Sequence, residues 1–343
     1  MRYVIVGAGA IGGTLASRLA QNSIAHPPVI IARGENAKIV RRHGLRLRSP
    51  DDDAMVPIAV ANSPAEVTLR DDDVLVFATK TQQVQSALLE WADQPVHDAH
   101  GRAASTAGSA LPAFMALNGV EGERIALRLF DRVFGVCIAL PAIQLRAGEL
   151  FVPSAPTTGA FILGRYGSGA MTDDDRRLLT ALASDWRAST FDVRVVDDVM
   201  RWKYSKLIRN LANAVQALVG PADDVDDIVS ALREEGRAVL DIAGIATASA
   251  EGERAWRAAL PPPRPVAGME GEFGSSSWQS LTRGSGTIET DYLNGEIVLI
   301  GRAHGMEAPM NAAIQAAARQ AAAERRRPGT MSPEELRRLV LLR

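Results

Sequence analysis

Tyr3 to Val6 is a run of β-favouring residues, and Gly7-Ala8-Gly9-Ala10-Ile11-Gly12 follows at once. Gly13 to Ala20 continues in a helical pattern, with Ile11, Leu15 and Leu19 on one face. A strand, a glycine turn and a helix in immediate succession point to an open parallel α/β sheet that binds a dinucleotide. Gly7 permits the tight turn, Gly9 lets the backbone approach a pyrophosphate, and Gly12 lets the helix pack close to the strand. The free N–H groups and positive end of that helix would then face the phosphates. Residues Gly7, Ala8, Gly9, Ala10, Ile11 and Gly12 are therefore the expected phosphate turn.

A second strand, Pro28 to Ala32, ends at Arg33-Gly34. In sheets that prefer NAD, an acidic residue about 20 positions past the glycines bonds the ribose 2′-hydroxyl. Arg33 holds that place here, and a guanidinium suits a 2′-phosphate, so NADP (as NADPH) is the expected cofactor. Glu35, two residues on, works against that preference, and a solvated loop arginine is the plainer alternative. Leu45 to Arg48 and Val56 to Val60 read as alternating strand pieces. Val74 to Ala78 reads as a buried strand ending in Thr79-Lys80-Thr81-Gln82-Gln83. Ligands of such sheets lie outside the carboxyl ends of strands, which places Lys80 and Gln83 beside the cofactor or substrate. Ala113 to Leu117 is a further strand, ending in Asn118-Gly119; turn chemistry explains that pair as well as ligand contact does.

Strand-like runs continue at Val136 to Leu140 and Thr158 to Leu163, then a helix at Leu178 to Trp186 and a last strand at Phe191 to Val196. From Asp197 the pattern is helical almost throughout. The expected architecture is α/β: a Rossmann-type doubly wound sheet over residues 1–196, then an all-α domain over 197–343. A chain of 343 residues exceeds one typical core, in keeping with two domains. Pro261 to Pro265 reads as a stiff loop between helices.

With 38 basic and 40 acidic side chains the net charge is -2, which supplies no field to attract nucleic acid or an anionic membrane. Cys137 is the only cysteine, so no internal disulfide forms, and no metal site is expected. No apolar run approaches the length of a membrane span, and the chain opens directly on a strand, so a cytoplasmic enzyme is expected.

Two polar clusters lie in the helical half. Lys203, Lys206, Asn210 and Asn213 step by three, four and three, forming a stripe beside the apolar face of Leu207, Leu211, Val215 and Leu218. Amines for a carboxylate and amides for its oxygens are what a 2-keto acid requires, although charged stripes on helices are more often solvated. The second cluster is Ser275-Ser276-Ser277-Trp278-Gln279 with Glu289, Asp291 and Asn294; helix capping and surface polarity explain its spacing equally well. Ser332 and Pro333 open a short tail helix whose apolar face, Leu336, Leu339 and Val340, would serve packing or an oligomer contact.

In their order and separations these pieces resemble the ketopantoate reductase family, within the 6-phosphogluconate dehydrogenase-like superfamily. The resemblance runs from residue 1 to about 325. It is carried by the glycine turn, Ala32-Arg33-Gly34, Thr79 to Gln83, Leu117-Asn118-Gly119, Lys206 to Asn210, Ser276 to Gln279, Glu289 to Gly295, and Ala303-His304-Gly305. It implies that Lys206 is the proton-donating lysine and Asn210 a substrate-binding asparagine. It further implies that Asn118 meets nicotinamide and substrate, and that Ser277, with Ser276 beside it, holds the substrate carboxylate. Glu289 is implied near the nicotinamide ribose and the substrate, and Lys80 and Gln83 as cofactor contacts.

This chain departs from the family in having Ala214 where a second asparagine is usual, with Asn213 one residue early and about 100° round the helix. Trp202 stands four residues before the lysine rather than two, residues 120–170 match loosely, and the tail from Glu324 to Arg343 is added. The implied activity is NADPH-dependent reduction of a small-molecule 2-keto acid, 2-dehydropantoate first, with a homodimer left open. A 2- or 3-hydroxyacid or opine-type dehydrogenase is the alternative on the same scaffold, and a non-catalytic NADPH-binding sensor the alternative from another class.

Overall fold

A computed structural model describes residues 1–22, 26–167, 169, 171–221, 223–269 and 274–341. It divides the chain into two compact units: Met1–Trp202 with Ser249–Glu270, and Lys203–Ala248 with Gly271–Arg343.

The first unit is built on an eight-stranded sheet. Its strands in chain order are β1 (Arg2–Val6), β2 (Val29–Ile31), β3 (Ala59–Ala61), β4 (Asp73–Phe77), β5 (Ala113–Met115), β6 (Val133–Ala139), β7 (Gly159–Tyr166) and β8 (Phe191–Val195). Across the sheet they run β3-β2-β1-β4-β5-β6-β7-β8. The strands from β1 to β6 are parallel, β7 is antiparallel to β6, and β8 is parallel to β7. The first six strands thus have the 3-2-1-4-5-6 order of a doubly wound dinucleotide sheet, whose strand order reverses between β1 and β4.

Alternation along β1 explains the packing. Tyr3 and Ile5 face a core that includes Leu15 and Leu19 of helix α1 (Ala10–Gln21). Val4 and Val6 face the other side, with Val84, Leu88 and Trp91 of helix α3 (Thr81–Ala92). Burial on both faces is why β1 and β4 read as continuous apolar runs. Between them in the chain lies helix α2 (Gly34–His43). The expected strand over residues 56–60 is instead two: Asp52–Val56, which pairs with Leu45–Ser49 in a small separate sheet, and β3. Pro57 separates them, since it has no N–H to give a ladder.

The expected division at 196/197 differs from the observed one, because packing returns a later segment to the first unit. Trp256 is fully buried with Cys137, Ala160, Ile162 and Val199. Arg194 donates to the Ala255 carbonyl at 2.9 Å, and Arg264 pairs with Asp51 at 2.8 Å.

Among its described residues the second unit contains helices and no strands. The tail helix, Pro333–Leu341, opens on a reciprocal cap: the Glu335 N–H donates to Ser332 Oγ at 3.2 Å, and the Ser332 N–H to Glu335 Oε2 at 2.7 Å. Leu336 and Val340 lie in one core with Leu218, Val225 and Leu232. The Gly329 and Met331 N–H groups donate to the carbonyls of Ala217 and Leu218 at 3.1 and 3.0 Å. Of the two expected roles of this face, packing within the chain is the one seen, with Leu339 also set against that core. No helix among the described residues is long and apolar enough to cross a membrane, and no group of three or more His, Cys, Asp or Glu among them could hold a metal.

Candidate functional site

In the first unit the glycine turn leaves β1 and enters α1. Gly7 has φ +118°, and a Cβ there would lie 2.7 Å from the Ala78 carbonyl oxygen. A Cβ on Gly12 would lie 2.0 Å from the Gly7 carbonyl oxygen, so helix and turn close only without one. Gly9 is the opposite case, with nothing within 4 Å of the place a Cβ would occupy. It is the cap residue of α1 and brings no side chain to the first N–H groups of the helix. The turn is held from behind: Asn36 Nδ2 and Gln144 Nε2 donate to the Ala8 carbonyl at 2.9 and 3.1 Å, and Asn36 Oδ1 accepts from the Gly148 N–H at 2.7 Å. A fixed turn, open space at its middle glycine and a helix N-terminus directly after it fit a pyrophosphate.

Arg33, Lys80, Gln83 and Asn118 follow the carboxyl ends of β2, β4 and β5, parallel strands whose ends share one edge of the sheet. Lys80 is the residue from which α3 starts, and the Gln83 N–H donates to its carbonyl at 2.9 Å. Thr81 Oγ1 donates to the Asn118 carbonyl at 3.4 Å, tying that helix start to the turn after β5. Arg33, 63% exposed, forms an ion pair with Glu90 of α3. The sequence offered Glu35 as the neighbouring carboxylate, but Glu35 pairs with Lys38 at 3.7 Å. Nothing in the sequence pointed to Glu90, which lies 57 residues from Arg33.

In the second unit the polar stripe is not a solvated face. Lys203 is 3% and Asn210 8% exposed, and Lys206 and Asn213 are half-buried. Lys203, Lys206 and Asn210 share the helix Val199–Asn210, which ends one residue before the next, Ala212–Val219, so Asn213 stands on a second helix and the expected stripe is broken between them. The Asn213 carbonyl accepts from Ser275 Oγ at 3.0 Å, and Gln216 Oε1 accepts from the Ser275 N–H at 2.7 Å. Ser275 also caps the helix Ser276–Thr282 through the Trp278 N–H at 3.3 Å. One serine thus does the capping and fixes the two that follow against the Ala212–Val219 helix.

Ser276 is half-buried, whereas Ser277 is 2% exposed and its Oγ has no hydrogen-bond partner among the described residues. A buried hydroxyl without a partner is unfavourable unless a ligand supplies one. Glu289 is buried at the start of the turn Glu289–Tyr292. Arg283, not singled out from sequence, lies within reach of its charge. Burial holds the Arg283 pKa below the ordinary arginine value although part of the side chain meets solvent, and Glu289 pulls it partway back.

Three further residues, Asn294, Asn311 and Glu235, hold the helix break after Asn210. Asn294 Nδ2 donates to the Leu211 carbonyl at 3.2 Å and to Asn311 Oδ1 at 3.0 Å. Asn311 Nδ2 donates in turn to Glu235 Oε1 at 2.8 Å. Asn294 stood in the sequence as one polar residue of a motif. Its acceptor, a main-chain carbonyl released where a helix is interrupted, has no signature in residue type.

Comparison with known proteins identifies the family. Residues 3–166 match the family model described as ketopantoate reductase PanE/ApbA, and residues 198–322 match its C-terminal counterpart. A 2-dehydropantoate 2-reductase of Mesorhizobium japonicum is 28% identical over 344 residues, covering 95% of this chain and 99% of that protein. The crystal structure of a PanE/ApbA family ketopantoate reductase from Ralstonia eutropha shares the fold with TM-score 0.73 at 24% identity, covering 95% of this chain and 99% of that one. D-mandelate dehydrogenase in ternary complex with NADH and anilino(oxo)acetate shares it with TM-score 0.75 at 18% identity and the same coverage. With both parts of the family matched in order over most of its length, this chain belongs to the ketopantoate reductases, a family of oxidoreductases that use NADPH.

Proposed function

We propose that this protein reduces a small 2-keto acid with NADPH, and that 2-dehydropantoate is the first substrate to test. The observation that carries this reading is Ser277, an enclosed hydroxyl with no partner among the described residues, in the same unit as the half-buried Lys206 and buried Asn210. A substrate carboxylate would accept from Ser277, with Ser276 beside it, and Asn210 would donate an amide hydrogen to the substrate. Glycines 7, 9 and 12, Ala8, Ala10 and Ile11 would hold the pyrophosphate, Arg33 the 2′-phosphate, and Lys80, Gln83, Asn118 and Glu289 the remainder of the cofactor. Held there, the cofactor would supply a hydride to the keto carbon. Lys206 gives its ammonium proton to the carbonyl oxygen as that oxygen gains charge, so the product leaves as a hydroxy acid and Lys206 as a neutral amine.

A second reading keeps the chemistry and changes the substrate side chain. The fold shared with D-mandelate dehydrogenase favours it, as does Ala214 where the family's second asparagine is usual. Steady-state rates over a panel of 2-keto acids, followed by NADPH loss, decide between the two. Lys206→Ala should lower turnover about 10²–10⁴-fold while NADPH affinity, read by fluorescence titration, stays near normal. Lys80→Ala should mainly weaken NADPH binding. Near-normal turnover in Lys206→Ala would remove it from the chemical step. If the intact protein reduced no keto acid while binding NADPH, a nucleotide sensor would be the better account.

A further inference from the structure

The guanidinium offered to a 2′-phosphate already carries a carboxylate. Arg33 is paired with Glu90, and Glu90 is not on a loose arm. It sits on α3, whose Leu88 and Trp91 are fully buried against the sheet, and its carbonyl accepts from Gln94 Nε2 at 2.8 Å. Glu35, engaged with Lys38, leaves this place to Glu90. We propose that Glu90 is a specificity-determining residue for the nucleotide: by pairing with Arg33 it narrows the advantage of NADPH over NADH, so that one pocket accepts both. This rests on the reading of Arg33 as the residue that meets the 2′-phosphate.

The argument is electrostatic. A guanidinium is planar and presents its donors along fixed edges, so a carboxylate on one edge removes those donors from any other anion. A phosphate monoester brings close to two negative charges at neutral pH. Set on Arg33, it must either displace Glu90 or remain beside it, and both outcomes reduce the gain from Arg33. NADH brings a hydroxyl in place of that phosphate and leaves the ion pair intact. The pair is in contact with water, Arg33 63% and Glu90 38% exposed, and exposed pairs are weak. Glu90 therefore grades the preference and does not block NADPH.

The test is fluorescence titration of the full-length protein with NADPH and NADH, comparing wild type, Glu90→Gln, Arg33→Ala and the double variant. Glu90→Gln should tighten NADPH about two- to fivefold and leave NADH unchanged, the range an exposed pair supplies. Arg33→Ala should weaken NADPH about tenfold or more and NADH little. In the Arg33→Ala background the effect of Glu90→Gln should vanish, because the two residues act through one contact. If Arg33→Ala behaves so but Glu90→Gln changes neither cofactor, or both alike, the role of Glu90 is overturned and that of Arg33 stands. If Arg33→Ala weakens both cofactors equally, the reading of Arg33 fails first and the proposal with it.

Discussion

At Gly12 a single added methyl group would lie 2.0 Å from a main-chain oxygen, whereas at Ser277 a single buried hydroxyl has no partner among the described residues. The glycine turn is made of backbone, and its shape depends on atoms its residues lack. The polar site of the second unit is made of side chains, held in place by buried amides and a helix cap. Additions should therefore be ruinous in the first site. In the second, deletions should spare the fold and remove binding.

Gly12→Ala offers the largest effect by which to break this contrast. The Cβ has no route around the Gly7 carbonyl, and the Ala78 and Ile5 side chains already stand 3.0 and 3.1 Å away. Overpacking of this kind should lower stability by about 3 kcal/mol in denaturant titration and weaken NADPH binding with it. Unchanged stability would mean the helix can move off the strand freely, and the turn would not be the rigid device described.

Ser277→Ala tests the other half of the contrast. Keto acid KM should rise about ten- to hundredfold, the loss of a hydrogen bond to a charged group, while the melting temperature holds or rises slightly. A fall in stability without a change in KM would make Ser277 a packing residue.

Asp175 sharpens the comparison further, being a buried polar group whose partners are all present. Burial pushes its pKa up, but hydrogen bonds from Arg132 and Thr172 and the charge of Arg165 outweigh that and hold it below the ordinary aspartate value. A lowered native pKa stabilises the fold above the pKa of an unfolded aspartate, about 4, and that contribution is lost as pH falls through the native value. Asp175→Asn should thus be less stable than wild type by about 1–2 kcal/mol at neutral pH, with the two converging below about pH 4. A gap that persisted at low pH would show that charge is not what Asp175 contributes.

What could be read in advance follows the same line. Backbone roles are tied to residue type and period, so the glycine turn, β1 and β4 stood out from their sequence. The spacing of Lys206 and Asn210 was equally visible, but spacing is silent on burial; only packing shows that Lys203 and Asn210 face away from water. Glu90 meets Arg33 because α3 folds across the sheet, and Asn294 meets a carbonyl freed by a helix break. Neither partner has a fixed separation along the chain. The segment around Trp256 reads as another helix of the second half, and only its enclosed indole among Cys137, Ala160 and Ile162 assigns it to the first unit.

That assignment has a consequence for how the protein is made. Synthesis proceeds from the N-terminus, and a unit folds when all of its parts have emerged. Here the first unit needs Ser249–Glu270, and Lys203–Ala248 of the second unit is made before that segment. A nascent chain that has reached residue 202 holds the whole eight-stranded sheet but not the tryptophan that closes the apolar cluster around Cys137 and Val199. The first unit is therefore complete only when residue 270 has been made, and the second only with Gly271–Arg343. Until then that cluster lacks its tryptophan, although the helix carrying Lys206 and Asn210 has already been made.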